Sequence, residues 1–238
     1  MKIIVIKKLV LGLFSLFLTS TLFAQTDINP SNLLPIETAK LTATETTSYF
    51  GNSISFSANG NVLAIGEYGY STPTRTSSGR VKVYTNETGE WLQKGQDLLG
   101  IEDSFNEFGK KVQLSSDGNT LAVYDSQIAI QLNAGETLED KYGSLAPEFF
   151  PYIQIYQFTN NTWVKIGNDF LFNAIDEYSD MSFSGDGTAL AISKKYGIEV
   201  YELNGGSWSQ TGQTIISRDS TYDDKISVSE DGSVIIVG

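Results

Sequence analysis

Acidic side chains are the first feature of this sequence that could bind a ligand or do chemistry. They gather in three clusters, each just before a hydrophobic segment. The clusters comprise Glu102, Asp103 and Glu107; Asp176, Glu177 and Asp180; and Asp219, Asp223 and Asp224. Carboxylates that share one rim can hold a hard cation such as calcium, or a basic or hydroxyl-rich ligand. In a chain this acidic, the same clusters also fit solvated loops that only aid solubility.

Two longer segments add aromatic side chains to these candidates. The first segment runs from Glu67 to Ser78 and the second from Asp125 to Pro151. Their candidate binding residues are Tyr68, Tyr70 and Arg75, and Tyr142, Phe149 and Phe150. Exposed aromatic rings can stack on sugars or anchor a protein partner, but they can equally fold back onto neighbouring strands. Because a structureless loop of 27 residues would be unusual, we expect part of the second segment to pack or to form a hairpin.

The composition excludes several classes of chemistry. The 238 residues include no cysteine and no histidine, which excludes thiolate nucleophiles, disulfides, the Ser-His-Asp triad and imidazole metal ligands. The net charge of −12 disfavours nucleic acid as a partner. Residues 116–120 are superficially similar to a sialidase box, but Arg75, Arg80 and Arg218 are the only arginines that could form the cluster such a site needs. No nucleophile–base arrangement is visible, so we expect neither an enzyme nor catalytic residues.

The N-terminus has the pattern of a secretory signal peptide over residues 1–24. Three lysines begin it, the apolar run Leu9–Leu18 follows, and Ala24 precedes the predicted cleavage site. The run is shorter than the about 20 apolar residues that a membrane anchor needs. We therefore expect a secreted or cell-surface protein with no membrane-inserted segment after removal of the leader. Residues 25–48 are expected to form a linker.

A repeat organises the chain after the linker. Four segments align on a turn glycine, at Gly60, Gly118, Gly187 and Gly232. Each has a serine three residues before the glycine and Asn or Asp one residue before it. Alternating apolar residues precede this turn, and a more continuously apolar stretch follows it. Asn-Gly and Asp-Gly tolerate the positive φ of tight turns, so each segment predicts a β-hairpin.

A second pattern follows the first three hairpins. A tyrosine precedes a tryptophan by seven residues, and a glycine follows the tryptophan four residues later. The three sets are Tyr84, Trp91 and Gly95; Tyr156, Trp163 and Gly167; and Tyr201, Trp208 and Gly212. Turn-forming residues separate each Tyr from its Trp, which predicts a second hairpin in each unit. Because the spacing recurs, we expect the tryptophans to be packing residues.

Each unit is therefore four antiparallel strands, the size of one blade of a β-propeller. The predicted blades cover about 49–100, 101–172 and 173–217, with a partial blade at 218–238. Extra residues fall between the second and third strands. In a propeller these loops and the acidic connectors between blades emerge on one face, which we call the loop face. We expect an all-β propeller with about three and a half blades present.

Several residues resemble a known family. Phe50-Gly51, Phe108-Gly109 and Leu63-Ala64-Ile65-Gly66 resemble the FG-GAP repeats of bacterial surface and integrin-type propellers. The Ser-x-Asp-Gly-x-x-Leu-Ala pattern is also similar to TolB-like and WD-type blades. The resemblance implies a propeller used for binding at a surface. The third and fourth units lack Phe-Gly, and no hairpin carries the Asp-x-Asp-x-Asp-Gly calcium loop of the integrin-like repeats. We therefore expect no cofactor, with calcium as an alternative.

The last predicted blade contains only its first two strands. Two interpretations follow: the sequence is a piece of a longer protein, or it is an incomplete propeller that pairs with another copy through the open edge at Val234–Val237. The segment Leu33–Leu41 could supply a fourth strand to a closing blade.

The function we expect is non-catalytic binding of a protein or a glycan by the loop face. The first alternative is a purely structural blade array within a larger surface protein. A hydrolase that cleaves glycosides with a pair of carboxylates is a distant alternative.

Overall fold

The computed structural model describes residues 4–7, 41, 48–73, 77–86, 89–100, 107–129, 149–172, 178–195, 197–216 and 225–238. These residues form sixteen strands and no helix, so none of them belongs to a helix able to cross a membrane. The strands are β1 Ile4–Lys7, β2 Ser53–Phe56, β3 Val62–Glu67, β4 Arg80–Asn86, β5 Trp91–Gln93, β6 Leu98–Leu99, β7 Lys111–Leu114, β8 Thr120–Ala129, β9 Phe149–Thr159, β10 Thr162–Leu171, β11 Tyr178–Phe183, β12 Ala189–Lys194, β13 Gly197–Asn204, β14 Ser207–Gln210, β15 Ile226–Val228 and β16 Val234–Val237.

The strands form four antiparallel sheets, which follow chain order except that β1 joins the last one. Sheet 1 is β2-β3-β4-β5, with β6 also paired to β4, and sheets 2 and 3 are β7-β8-β9-β10 and β11-β12-β13-β14. Sheet 4 has the order β1-β16-β15. The predicted all-β class and the four-stranded antiparallel units are confirmed. Their arrangement as a propeller stays a prediction.

A local hydrogen-bond motif explains the Ser-x-Asx-Gly repeat. In sheet 1, Ser57 Oγ donates to Asn59 Oδ1 at 2.8 Å and accepts the N–H of Val62 at 2.9 Å. Gly60 follows with φ of 73°, a conformation that glycine adopts without a Cβ penalty. The other three hairpins repeat both hydrogen bonds, from Ser115, Ser184 and Ser229. The motif therefore closes the turn of each hairpin.

The apolar core lies between consecutive sheets. One cluster joins sheets 1 and 2 and includes Val83, Leu114 and Trp163. A second joins sheets 2 and 3, and a smaller third joins sheets 3 and 4. The first strands of successive sheets also contact one another, β2 with β7, β7 with β11 and β11 with β15. Each sheet therefore packs face to face against the next.

The last strands of sheets 1–3 carry a bulge at the glycine that follows each tryptophan. In sheet 2 the pairing of β9 and β10 shifts between Ile166 and Phe170, around Gly167. Trp163 and Trp208 are buried, and each packs against the glycine of the preceding sheet, Gly95 and Gly167 respectively. The prediction that the tryptophans are packing residues is confirmed for these two. Trp91, in sheet 1, is only half-buried.

The segment Asp125–Pro151 begins and ends in paired strand, in line with the expectation that part of it packs or forms a hairpin. Strand β8 continues to Ala129 and β9 begins at Phe149, with a register shift between Asp125 and Ile128. A buried pair lies where this shift begins: the Tyr152 hydroxyl donates to Asp125 Oδ2 at 3.0 Å, and neither residue is exposed. Burial, with the nearby Asp125 charge, raises the pKa of the Tyr152 hydroxyl far above its ordinary value of 10.0.

The N-terminal segment contributes one described strand. β1 lies within the predicted leader and pairs with β16 from Ile4–Val237 to Lys7–Val234. The edge of β16 that we expected to be open is therefore occupied in the structure. The predicted strand at Leu33–Leu41 lies outside the described residues except for Leu41.

Candidate functional site

The first strands of the four sheets, β2, β7, β11 and β15, are here called the inner strands. Residues near their beginnings line a cavity of about 500 Å³ on the loop face. Ser53, Lys111, Asp180 and Lys225 line it from equivalent positions, seven residues before the turn glycine of each sheet. The exposed side chain of Ile54 adds an apolar wall. The volume lies within the range of small-molecule sites, roughly 300–1,000 Å³.

Lysines line this cavity, although the chain as a whole is acidic. Lys110, Lys111 and Lys225 all reach it. Lys110 forms an ion pair with Glu107, which also accepts a hydrogen bond from the Ser126 hydroxyl. Burial raises the pKa of Glu107, but the hydrogen bonds from Lys110 and Ser126 outweigh it and hold the pKa below its ordinary value of 4.5.

The two acidic candidates that the structure describes accept hydrogen bonds from neighbouring backbone and side-chain groups. Glu107 is engaged by Lys110 and Ser126, as above. Asp180 Oδ2 accepts the N–H of Ile226 at 3.2 Å, which links the inner strands of sheets 3 and 4. Among the described residues, no three His, Cys, Asp or Glu side chains come together in a way that could hold a metal ion.

Two tyrosines stack at the rim of the loop face. The rings of Tyr49 and Tyr68 lie parallel, with centroids 4.6 Å apart and planes 10° apart. The backbone holds them together, because Gly69 N–H donates to the carbonyl of Ser48 at 3.1 Å. Tyr49 is 59% exposed and has φ of 56°. Bulky residues rarely adopt positive φ, and such strain tends to occur at functional positions.

Tyr70 has a structural environment. The guanidinium carbon of Arg80 lies 3.6 Å from the centre of its ring. Arg80 Nε also donates to Glu67 Oε2 at 2.7 Å, and Arg80 Nη1 lies 3.2 Å from Asp97 Oδ2. Glu67 and Arg80 are both buried. This network fixes the base of the Glu67–Ser78 loop and leaves Tyr70 half-buried beside it.

The structure thus brings Tyr68, Tyr70, Glu107 and Asp180 to one end of the sheets. Phe149 and Phe150 begin β9 at this end, and only their backbone is described. The remaining candidates lie outside the described residues: Arg75, Glu102, Asp103, Tyr142, Asp176, Glu177, Asp219, Asp223 and Asp224.

Sequence reasoning missed Tyr49 and the lysines of the cavity. Tyr49 directly precedes Phe50-Gly51, so its position at the start of a repeat was a signal that it would reach the loop face. Lys111 and Lys225 stand at equivalent positions of the repeat, but the recurring acidic residues around them favoured the prediction of an acidic site.

Comparisons with known proteins bear on the fold. No family model and no curated protein matches the chain. Among solved structures, a chain of the complex of KlAtg21 with the coiled-coil of AgAtg16 is similar at 16% identity and a TM-score of 0.52, over 78% of this chain and 50% of that one. The hydrazine synthase of Kuenenia stuttgartiensis has 14% identity and a TM-score of 0.48, over 77% and 54%.

The present chain therefore spans about half the length of each of these two solved structures. At 16% identity, the similarity to the first structure concerns the fold alone. Fold and comparisons together define an all-β protein built of consecutive four-stranded antiparallel sheets.

Proposed function

We propose that this chain is part of a β-propeller of the FG-GAP type that binds a ligand without catalysing a reaction. Face-to-face packing of successive sheets and contacts between successive inner strands support the propeller. The predicted leader supports secretion or display at the cell surface. The family resemblance also favours a bacterial source and a role in adhesion.

The observation that carries the proposed function is the exposed stack of Tyr49 on Tyr68. One face of the Tyr49 ring is covered by Tyr68, and the residue is otherwise largely open to solvent. A pre-ordered aromatic ring can stack on the apolar face of a sugar at small entropic cost. The same surface fits a protein segment, and we favour the glycan because a flat, exposed ring suits a sugar ring.

A catalytic role has less support. Glycoside hydrolysis by two carboxylates needs both groups to face the substrate. Of the acidic candidates whose side chains the structure describes, Glu107 is engaged by Lys110 and Ser126, and Asp180 accepts a backbone N–H. Calcium binding stays a prediction for the connectors outside the described residues.

A glycan array with the purified chain tests the proposal. We expect binding that Tyr49→Ala and Tyr68→Ala reduce at least tenfold, and that Tyr49→Phe retains because the ring remains. Leu92→Ala is the matched control, since Leu92 is comparably exposed on the last strand of sheet 1. If no glycan binds, or if the Tyr49 and Leu92 variants behave alike, the glycan proposal is wrong and the structural array becomes the better interpretation.

A further inference from the structure

Sheet 1 exposes an apolar face that its counterparts in sheets 2 and 3 bury. Ile54 and Phe56 are 58% and 51% exposed. The equivalent residues of sheet 2, Val112 and Leu114, and of sheet 3, Met181 and Phe183, are between 3% and 6% exposed. Neighbouring apolar residues with this much exposure mark an interaction surface.

The aromatic packing of this face is already in place. The rings of Phe56 and Trp91 lie 6.2 Å apart, the same separation as the rings of Phe183 and Trp208 in sheet 3. Trp208 is buried because sheet 2 covers it, whereas Trp91 is half-buried. The face of sheet 1 is therefore organised like the covered faces and differs from them in what lies against it.

The covered faces show which groups their partner presents. Ser55 Oγ accepts the N–H of Leu114 at 2.9 Å, and Ser182 Oγ accepts the N–H of Val228 at 3.1 Å. In both cases a serine five residues before one turn glycine receives the N–H four residues before the next. Phe56 is the equivalent of Leu114 in sheet 1, and its N–H points away from β3 because the ladder bonds alternate through Ser55 and Ser57.

A second set of bonds runs through the hairpin turns in one direction. Ala58 N–H donates to Ser116 O, Ser116 N–H to Gly185 O, and Gly185 N–H to Glu230 O, at 2.8–2.9 Å. At sheet 1, the Ala58 carbonyl is the acceptor that would extend this series by one bond. At sheet 4, the Glu230 N–H is the donor that would extend it at the other end.

Sheet 4 carries the complement of the face of sheet 1. Ser227 is exposed and stands five residues before Gly232, the position of Ser55 and Ser182. Sheet 4 therefore offers the Glu230 N–H as a donor for the Ala58 carbonyl of sheet 1. It also offers the Ser227 hydroxyl as an acceptor for the Phe56 N–H. Such an interface is heterologous and generates a ring or an open assembly.

We propose that the Ile54–Phe56 face of sheet 1 binds sheet 4 of a second copy of this chain. Ser227 Oγ of the second copy accepts the Phe56 N–H, and its Glu230 N–H donates to the Ala58 carbonyl. This association uses the face of sheet 1 and does not involve the edge of β16. It is independent of the ligand site at Tyr49.

Disulfide cross-linking tests this contact cleanly, because the chain contains no cysteine. We expect the variant Phe56→Cys/Ser227→Cys to form reducible species of two or more chains under mild oxidation. Ser182→Cys/Val228→Cys is the positive control, since those residues already meet within one chain. Phe56→Cys/Ser209→Cys measures random collision, because Ser209 is exposed on β14, and we expect at least tenfold less cross-linking from it.

Two results would overturn the proposal. The first is a cross-link within a single chain, which would mean that sheet 4 reaches sheet 1 of the same molecule. The second is no interchain product above the collision control while the positive control cross-links. Sedimentation of the cysteine-free chain gives an independent readout: we expect concentration-dependent association that Phe56→Lys abolishes, and a single-chain mass at all concentrations would also overturn it.

Discussion

Trp163 lies so close to Gly95 that a Cβ atom at position 95 would be 2.7 Å from the indole Cδ1. The indole N–H donates to the Lys94 carbonyl at 2.8 Å, and the Gln96 side chain bonds both backbone groups of Trp163. Trp208 repeats the contact at Gly167. The tryptophan of one sheet thus packs on the glycine of the preceding sheet, and together they form a contact between neighbouring sheets.

This contact predicts that the same substitution lowers the free energy of unfolding by different amounts at equivalent glycines. Gly95→Ala combines a positive φ of 81° with a clash against Trp163, whereas Gly212→Ala has a similar φ of 73° and no atom within 4 Å. We expect Gly95→Ala to lower the free energy of unfolding by about 1–3 kcal/mol more than Gly212→Ala does. Urea unfolding of both variants measures the difference, and equal losses would contradict the assigned packing.

The tryptophans should differ in the same way. We expect Trp163→Ala to cost about 3–5 kcal/mol, since it removes a buried indole and leaves a cavity. Trp91→Ala should cost clearly less, because Trp91 is half-buried in the uncovered face of sheet 1. Denaturant titrations followed by the remaining tryptophan fluorescence compare the two. A neutral Trp163→Ala would mean that the sheets do not pack as described.

Part of this arrangement is readable in the sequence. The Asx-Gly turns and the Tyr-Trp-Gly spacing predict the hairpins because their bonds are local, within five residues of Gly60 or its equivalents. The stack of Tyr49 on Tyr68 is not readable, since it joins two loops across a sheet. Nor is the pair of Tyr152 and Asp125, because it joins β8 and β9 through side chains 27 residues apart.

The positive φ of Tyr49 predicts that glycine at this position gives a more stable protein than alanine does, although both variants lose binding. A left-handed conformation costs a non-glycine residue about 1–2 kcal/mol, so Tyr49→Gly should be more stable than Tyr49→Ala by about 1 kcal/mol. Both variants should lose the ligand. At Tyr68, which is not among the positive-φ residues, the order should reverse, with alanine more stable than glycine. Thermal unfolding of the four variants checks both orders.

The hairpin aspartates predict a loss of stability in acid. Hydrogen bonds from the Ser229 hydroxyl and from Ser233 lower the pKa of Asp231 to about 2. For Asp117, burial raises the pKa, but hydrogen bonds from Ser115 and Asn119 outweigh it and hold the pKa below 3.8. Because these folded pKa values lie below the unfolded one, the stabilisation is present above about pH 4 and is lost as the pH falls toward 2.

Asparagine provides the matched substitution, since Asn59 occupies the same position in sheet 1. We expect the combined Asp117→Asn, Asp186→Asn and Asp231→Asn variant to show a flatter melting temperature between pH 4 and pH 2. Asn59→Asp should steepen it. Unchanged profiles in both variants would show that acid acts elsewhere in the chain.

The buried ion pair of Arg80 and Glu67, beneath Tyr70, predicts that removing Arg80 alone costs more stability than removing both side chains. Arg80→Met leaves the Glu67 carboxylate buried without its bound guanidinium, which should cost about 3–5 kcal/mol. Adding Glu67→Leu removes the stranded charge, so the double variant should recover much of that loss. Urea unfolding of the two single variants and the double variant measures the coupling. If the losses simply add, the two side chains do not act as a pair.

The self-closing turns have a consequence for how the chain folds and varies. The turn of each first hairpin is held by bonds between residues at most five apart, so the hairpin can form within about 1–10 μs, before any two sheets meet. Later steps then dock preformed hairpins against one another. Lengthening the loop between β8 and β9 adds only about 0.6 kcal/mol per doubling, so natural selection can remodel that loop while the assembly route stays the same.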